Sequence, residues 1–144
     1  DTMVPAGNTR SNVGLMWGWF ALSPKWQGLW DPGKPNYPLT PEENLTKAII
    51  LMSDGINTVF FGQIPGFISN DNTKTATLCE AIKDTDVVIY TVGFGTTIDI
   101  NEQLLKACAT KPSYYFHAPT SADLQAAFQQ IGDDLLFNTL HLSK

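Results

Sequence analysis

After Lys47 the chain runs Ala48-Ile49-Ile50-Leu51-Met52 without a polar residue, then breaks into Ser53-Asp54-Gly55. An unbroken apolar run of strand length, as opposed to an alternating one, reads as a strand buried on both faces of a parallel sheet. Asp54 then stands at the carboxyl end of that strand, the edge at which open α/β sheets bind their ligands. A second such run, Val87-Val88-Ile89-Tyr90-Thr91-Val92, stops at Gly93-Phe94-Gly95. Two buried strands ending in glycine-bearing loops predict a shared site at one edge of a sheet.

The intervening segments read as crossover helices. Ser11 to Leu22 follows the polar Gly7-Asn8-Thr9 and repeats Val13, Met16, Trp17 and Phe20 at helical spacing, with Ser11 or Asn12 as its cap. Gly14 and Gly18 cost this helix stability but would let it pack closely on a sheet. Thr73 to Lys83 predicts a second helix with Ala76, Cys79, Ala81 and Ile82 inward. Asn101 to Ala109 predicts a third through Leu104, Leu105 and Cys108, and Ser113 to Ala118 a short third strand. A last helix opens at Thr120 or Ser121, where Thr120 and Asp123 have capping-box spacing, and continues through Leu124, Phe128, Ile131 and Leu135. Helices alternating with strands predict an α/β fold, a doubly wound and mostly parallel sheet. At 144 residues and 43% hydrophobic, the chain suits a single domain over residues 1–144.

Between Ser23 and Asn44 lie Pro24, Pro32, Pro35, Pro38 and Pro41, with Trp26, Trp30 and Tyr37 among them. Regular structure is not expected there, and long loops of this kind are often functional. Trp26 and Trp30 could anchor a partner protein or a glycan, or fold back over the first helix; Trp17 is expected in the core and Trp30 outside it. Gly55 to Asn72 reads as a second irregular stretch.

The net charge of −5, spread without long runs of either sign, offers no electrostatic footprint for nucleic acid. No window approaches the length of a membrane span, so anchoring would have to come from a segment preceding Asp1. Cys79 and Cys108 are the only cysteines. They are either two buried thiols or one disulfide, and right-handed crossovers would set their two helices side by side on one face. A disulfide there would contribute ~3–4 kcal/mol in the chain-entropy model and would imply an oxidising compartment.

Asp54 offers a hard carboxylate oxygen and Thr9 a hydroxyl, the donors a divalent cation such as magnesium takes. The plainer account is that Asp54 caps a turn and Thr9 satisfies a helix start. Enzymatic signatures are lacking: there is no Gly-x-Ser-x-Gly elbow and no lysine-bearing phosphate loop, and Gly93-Phe94-Gly95 lacks the third glycine of a dinucleotide fingerprint. His117 reads as a strand residue at a sheet end.

The segments Ile49 to Gly55, Ile89 to Gly95 and Gly7-Asn8-Thr9 resemble the later strands and threonine loop of von Willebrand factor A domains. Gly14-Leu15-Met16-Trp17-Gly18-Trp19, Leu78-Cys79, Leu105 to Ala109, Tyr114 to Ala118 and Ala122 to Phe128 are similar to the Tad (Flp) pilus-assembly proteins of the TadG kind. Together the matches run from about Gly7 to Gly132. The resemblance implies a Rossmann-like fold and a metal-ion-dependent adhesion site to which Thr9 and Asp54 contribute. It implies a non-enzymatic, protein-binding adhesion module in the bacterial cell envelope, periplasmic or extracellular, whose partners are pilus or envelope components.

The D-x-S-x-S motif that opens such domains does not occur in this sequence. The expectation is therefore the C-terminal part of such a domain, lacking its first strands, with magnesium held in the intact domain and an incomplete site here. Two other readings stand beside it. One is a metal-assisted hydrolase that joins Asp54 to Asp99 or Asp71; the other is a metal-free scaffold docking a partner through Trp26 and Trp30.

Overall fold

The computed structural model describes residues 10–40, 45–54, 56–57 and 67–141. Three parallel strands form one sheet in the order β1-β2-β3: β1 spans Lys47–Ser53, β2 Val87–Phe94 and β3 Tyr115–Ala118. Helix α1, Ser11–Leu22, precedes β1; α2, Phe67–Lys83, joins β1 to β2; α3, Glu102–Cys108, joins β2 to β3; and α4, Ser121–His141, closes the chain. Because β1 to β2 to β3 proceeds in one direction across the sheet, right-handed crossovers put α2 and α3 on the same face. Helix α1 joins them there, and α4 covers the opposite face, so the sheet is doubly wound as its strand pattern predicts.

The core is correspondingly split in two. Leu15 of α1, Cys79 and Ile82 of α2, and Leu105 and Cys108 of α3 pack on Ile49, Leu51, Val87 and Ile89. On the other face Ile131 of α4 packs on Tyr90, Val92, Tyr114 and Ala118, with Leu124 and Leu135 alongside. Helix α4 lies over β2 and β3 but leaves the same face of β1 unroofed. Ile50 and Met52, the register partners of Tyr90 and Val92, are consequently exposed, Met52 to 50%. The first strand is thus buried on one face, while on the other Ala48 packs against the core and Ile50 and Met52 stand exposed.

Cys79 and Cys108 form a disulfide that ties α2 to α3, with Cα atoms 5.1 Å apart. The Thr120–Asp123 capping box is formed in both directions: Thr120 N donates to Asp123 Oδ2 at 3.1 Å and Asp123 N to Thr120 Oγ1 at 3.2 Å. At Gly93 an added Cβ would stand 2.5 Å from Ile100 Cδ1, so a larger residue here requires the Ile100 side chain to shift.

Several local expectations are corrected. The buried side of α1 carries Leu15, with Trp19 and Leu22 packed nearby, while Val13 and Trp17 face outward, Trp17 being 51% exposed. The helix is apolar around most of its circumference, so spacing did not single out its inner face. Neither Ser11 nor Asn12 caps it; Arg10 occupies the cap position without a side-chain bond. Gly14 and Gly18 have nothing within 4 Å of an added Cβ, so close approach is not their role. Helix α2 begins at Phe67, well before Thr73, and buries Asp71, Thr75, Cys79 and Ile82, leaving Ala81 exposed. Strand β3 begins at Tyr115 because Pro112–Tyr114 forms a single 3-10 turn. Phe128 is largely exposed, and Ala127 takes its inward place.

Candidate functional site at the carboxyl edge of the sheet

Asp54 directly follows β1 at the carboxyl edge and is exposed. The loop leaving β2 turns beside it. Gly95 takes φ +120°, a left-handed conformation open to glycine, and an added Cβ there would meet Asp54 O and Asp99 Cβ, each at 3.9 Å. The end of β3 joins through one backbone and one side-chain contact: Gly95 N donates to Ala118 O at 3.3 Å, and His117 Nε2 lies 2.9 Å from Gly95 O. The loop after β2 therefore meets the carboxyl ends of β1 and β3, and the two glycine-bearing strand ends lie together as their sequences predict. His117 serves as a strap between β3 and that loop.

Thr9 lies outside the described residues. The chain immediately after it is nevertheless fixed at this same edge. Arg10 Nε sits 3.3 Å from Asp71 Oδ2, and the Asp71 side chain is 3% exposed. Ser11 N donates to Asn57 Oδ1 at 2.9 Å, and Asn57 Nδ2 donates to Asn72 Oδ1 at 2.8 Å. A small crevice is shared by Ser11, Ser53, Asn57, Thr75 and Asn101. Asn57 thus replaces the missing side-chain cap of α1 from a distant loop, giving one of the helix's free N–H groups an acceptor. Arg10 and Asn57 have no signal in the linear sequence, because their partners are 61 and 46 positions away respectively.

The carboxylates differ in their freedom. Asp71 is held by Arg10 and, at 3.9 Å, by Lys74, so it serves as an internal anchor. Asp99 accepts from Thr96 Oγ1 at 2.5 Å, which shapes its own loop. Among the described residues no group of three or more His, Cys, Asp or Glu side chains could hold a metal ion. Asp54 alone does not make up the first shell of a hard cation, which takes about six oxygens. The residues described do not fit a self-sufficient metal centre.

The aromatic residues lie at the opposite, amino edge. Trp26 stacks on Phe20 and on Trp30, each pair with centroids 5.3 Å apart, and Trp17 meets Phe20 and Trp26 edge-on at 6.1 and 6.2 Å. Trp26 has folded back on α1, whereas Trp30 is 47% exposed. Trp26 thus folds back over the first helix, and Trp30 lies outside the core as expected.

No protein-family model and no curated protein matches the chain. Solved structures do. The proximal thread matrix protein 1 of the mussel byssus superposes on 96% of this chain with a TM-score of 0.52 and 18% identity. The same protein with a zinc-occupied MIDAS motif covers 99% with a TM-score of 0.55 and 18% identity. This chain spans about a quarter of those proteins, 27% and 26% of their lengths. The likeness establishes an α/β fold of the von Willebrand factor A type.

Proposed function

We propose that this chain is the later part of a von Willebrand factor A-type adhesion module, which binds a protein partner and turns over no substrate. The observation that carries the reading is the position of Asp54, free at the carboxyl edge where the loop after β2 meets the ends of β1 and β3, on a fold shared with a matrix protein whose MIDAS motif takes zinc. Its single domain over residues 1–144 would be completed by upstream strands bearing the D-x-S-x-S motif. Thr9 and Asp54 then supply part of the shell of a divalent cation, magnesium by the chemistry of hard oxygen donors.

The finer assignment, to the Tad (Flp) pilus-assembly proteins of the TadG kind, rests on the sequence resemblance running from Gly7 to Gly132. It places the chain on the periplasmic or extracellular face of a bacterial envelope, with pilus or envelope components as partners. The Cys79–Cys108 disulfide supports an oxidising compartment. No helix among the described residues is long and apolar enough to cross a membrane. A pull-down of assembled pilus components by the domain with its upstream segment tests this assignment; Asp54→Ala is expected to abolish capture, and capture unchanged by both Asp54→Ala and chelator contradicts it.

A second reading has a specific observation behind it. Trp30 is exposed at the end of an aromatic stack on the edge remote from Asp54, a rigid apolar anchor of the kind that dominates protein interfaces. In that case Trp30→Ala removes partner binding while magnesium has no effect.

A further inference from the structure

A cavity of about 360 Å³ opens at the amino edge of the sheet, between the end of α1, the aromatic turn after it and the starts of β1 and β2. Such a volume lies in the range of small-molecule sites, which are mostly apolar with a few placed polar groups. Trp19, Leu22, Leu45 and Val87 contribute apolar wall. Phe20 and Trp26 complete it, and because they are stacked on each other and on Trp19 and Trp30, that wall is already rigid. A preformed wall loses little entropy when a ligand enters.

The charged groups decide what kind of ligand fits. Lys47 opens β1 at the cavity wall, and its Nζ donates to Leu22 O at 2.7 Å and to Leu39 O at 2.5 Å. An ammonium has three N–H donors, so one remains without an acceptor among the described residues. Burial lowers the Lys47 pKa from its usual 10.5. This donor faces the cavity, where a charged acceptor offers it the strongest bond. Lys25 also lines the cavity without an ion pair among the described residues. Among the described residues one carboxylate stands against these two cations, Asp86, exposed in the left-handed turn before β2 with φ +45°.

We propose that this cavity binds a small amphipathic carboxylate, an apolar body seated against Trp19 and Trp26 with its carboxylate accepting from Lys47. Two ammonium groups against one carboxylate favour a monoanion over a neutral or cationic ligand. The site is distinct from the Asp54 edge and independent of any metal there.

The test is a titration of the chain with 4-phenylbutyrate and, separately, with its neutral amide, following the indole N–H resonances of Trp19 and Trp26 by NMR. The carboxylate is expected to shift both resonances and to bind about tenfold or more tighter than the amide, the difference a charge-assisted bond supplies. Lys47→Met should bring the acid down to the affinity of the amide. Because Lys47 also ties Leu22 and Leu39 together, Asp86→Asn is the second variant: removing a like charge at the rim should tighten the acid about two- to threefold and leave the amide unchanged. Equal affinities for acid and amide, an Asp86→Asn variant without effect, or no shift at millimolar ligand would overturn the proposal. Preferential binding of a neutral sugar or a proline-rich peptide would overturn it equally.

Discussion

Asn57 shows how much one side chain holds at the candidate site. It is 2% exposed and bridges the first N–H of α1 to Asn72 on α2. Asn57→Ala leaves Ser11 N and Asn72 Oδ1 without these partners in a closed crevice, and a loss of about 1–3 kcal/mol in urea unfolding is expected. Gly93→Ala should cost a similar amount, about 1–3 kcal/mol, by driving a methyl into Ile100 and Leu105.

Two tyrosines give the protein an alkaline limit. Burial, the Glu102 charge and the hydrogen bond to Glu102 Oε1 push the Tyr115 hydroxyl up to about 12. Burial and the bond to Asp134 raise Tyr90 as well. Below about pH 10 the folded and unfolded chains both keep these protons. Above it the unfolded chain releases them first, so stability falls with rising pH through the window from about 10 to about 12. Tyr115→Phe should make that fall shallower in denaturant midpoints measured across the window, with no change in slope near neutral pH. At this scale Asp54 was legible because an apolar run stops at it, and Gly95 because glycine marks a left-handed turn. Arg10, Asn57 and the burial of Asp71 were not, since each depends on a residue far along the chain.

Among elements, the strands were the most legible. Continuous apolar runs admit few alternatives at their length, and β1 and β2 begin and end close to where those runs do. Helix α4 announced itself by its cap, Thr120 pairing with Asp123, and α3 by Leu104, Leu105 and Cys108, while its Asn101 cap, Oδ1 accepting from Leu104 N at 3.0 Å, emerges only in the structure. Helix α2 hid its first turns because Ser69-Asn70-Asp71-Asn72 are weak helix formers. Tertiary bonds outweigh that propensity: Arg10 grips Asp71 and Asn57 grips Asn72, while within the helix Thr75 Oγ1 donates to Asp71 O at 2.8 Å. The α2–α3 pair depends on the disulfide in turn. Replacing Cys79 and Cys108 together by Ala should cost about 3–4 kcal/mol, read as a lowered urea midpoint, with the oxidised wild type as reference.

For the whole molecule, the telling feature is the unfinished side of β1. Among the described residues β1 pairs on one side only, and Ile50 and Met52 stand exposed on the face that α4 does not reach. On the proposed reading further strands extend the sheet beyond β1, where its continuous apolar run would be covered on both faces. If upstream strands complete the sheet there, Met52→Lys should change the stability of this chain by no more than about 0.5 kcal/mol, as for an exposed position. In the completed domain it should cost several-fold more. On the proposed reading the same missing strands govern the metal. Sequence patterns revealed both halves of that statement, Asp54 at the ligand edge and the absence of D-x-S-x-S, while the structure adds that Asp71 is committed to Arg10 and unavailable as a substitute ligand.

Calorimetric titration with magnesium, of this chain and of the same chain joined to an upstream segment bearing the D-x-S-x-S motif, tests the central claim most directly. The account predicts weak or undetectable binding by the 144-residue chain, and binding by the longer protein that disappears in Asp54→Ala. Tight magnesium binding by the chain alone, or binding by the longer protein that survives Asp54→Ala, would contradict it.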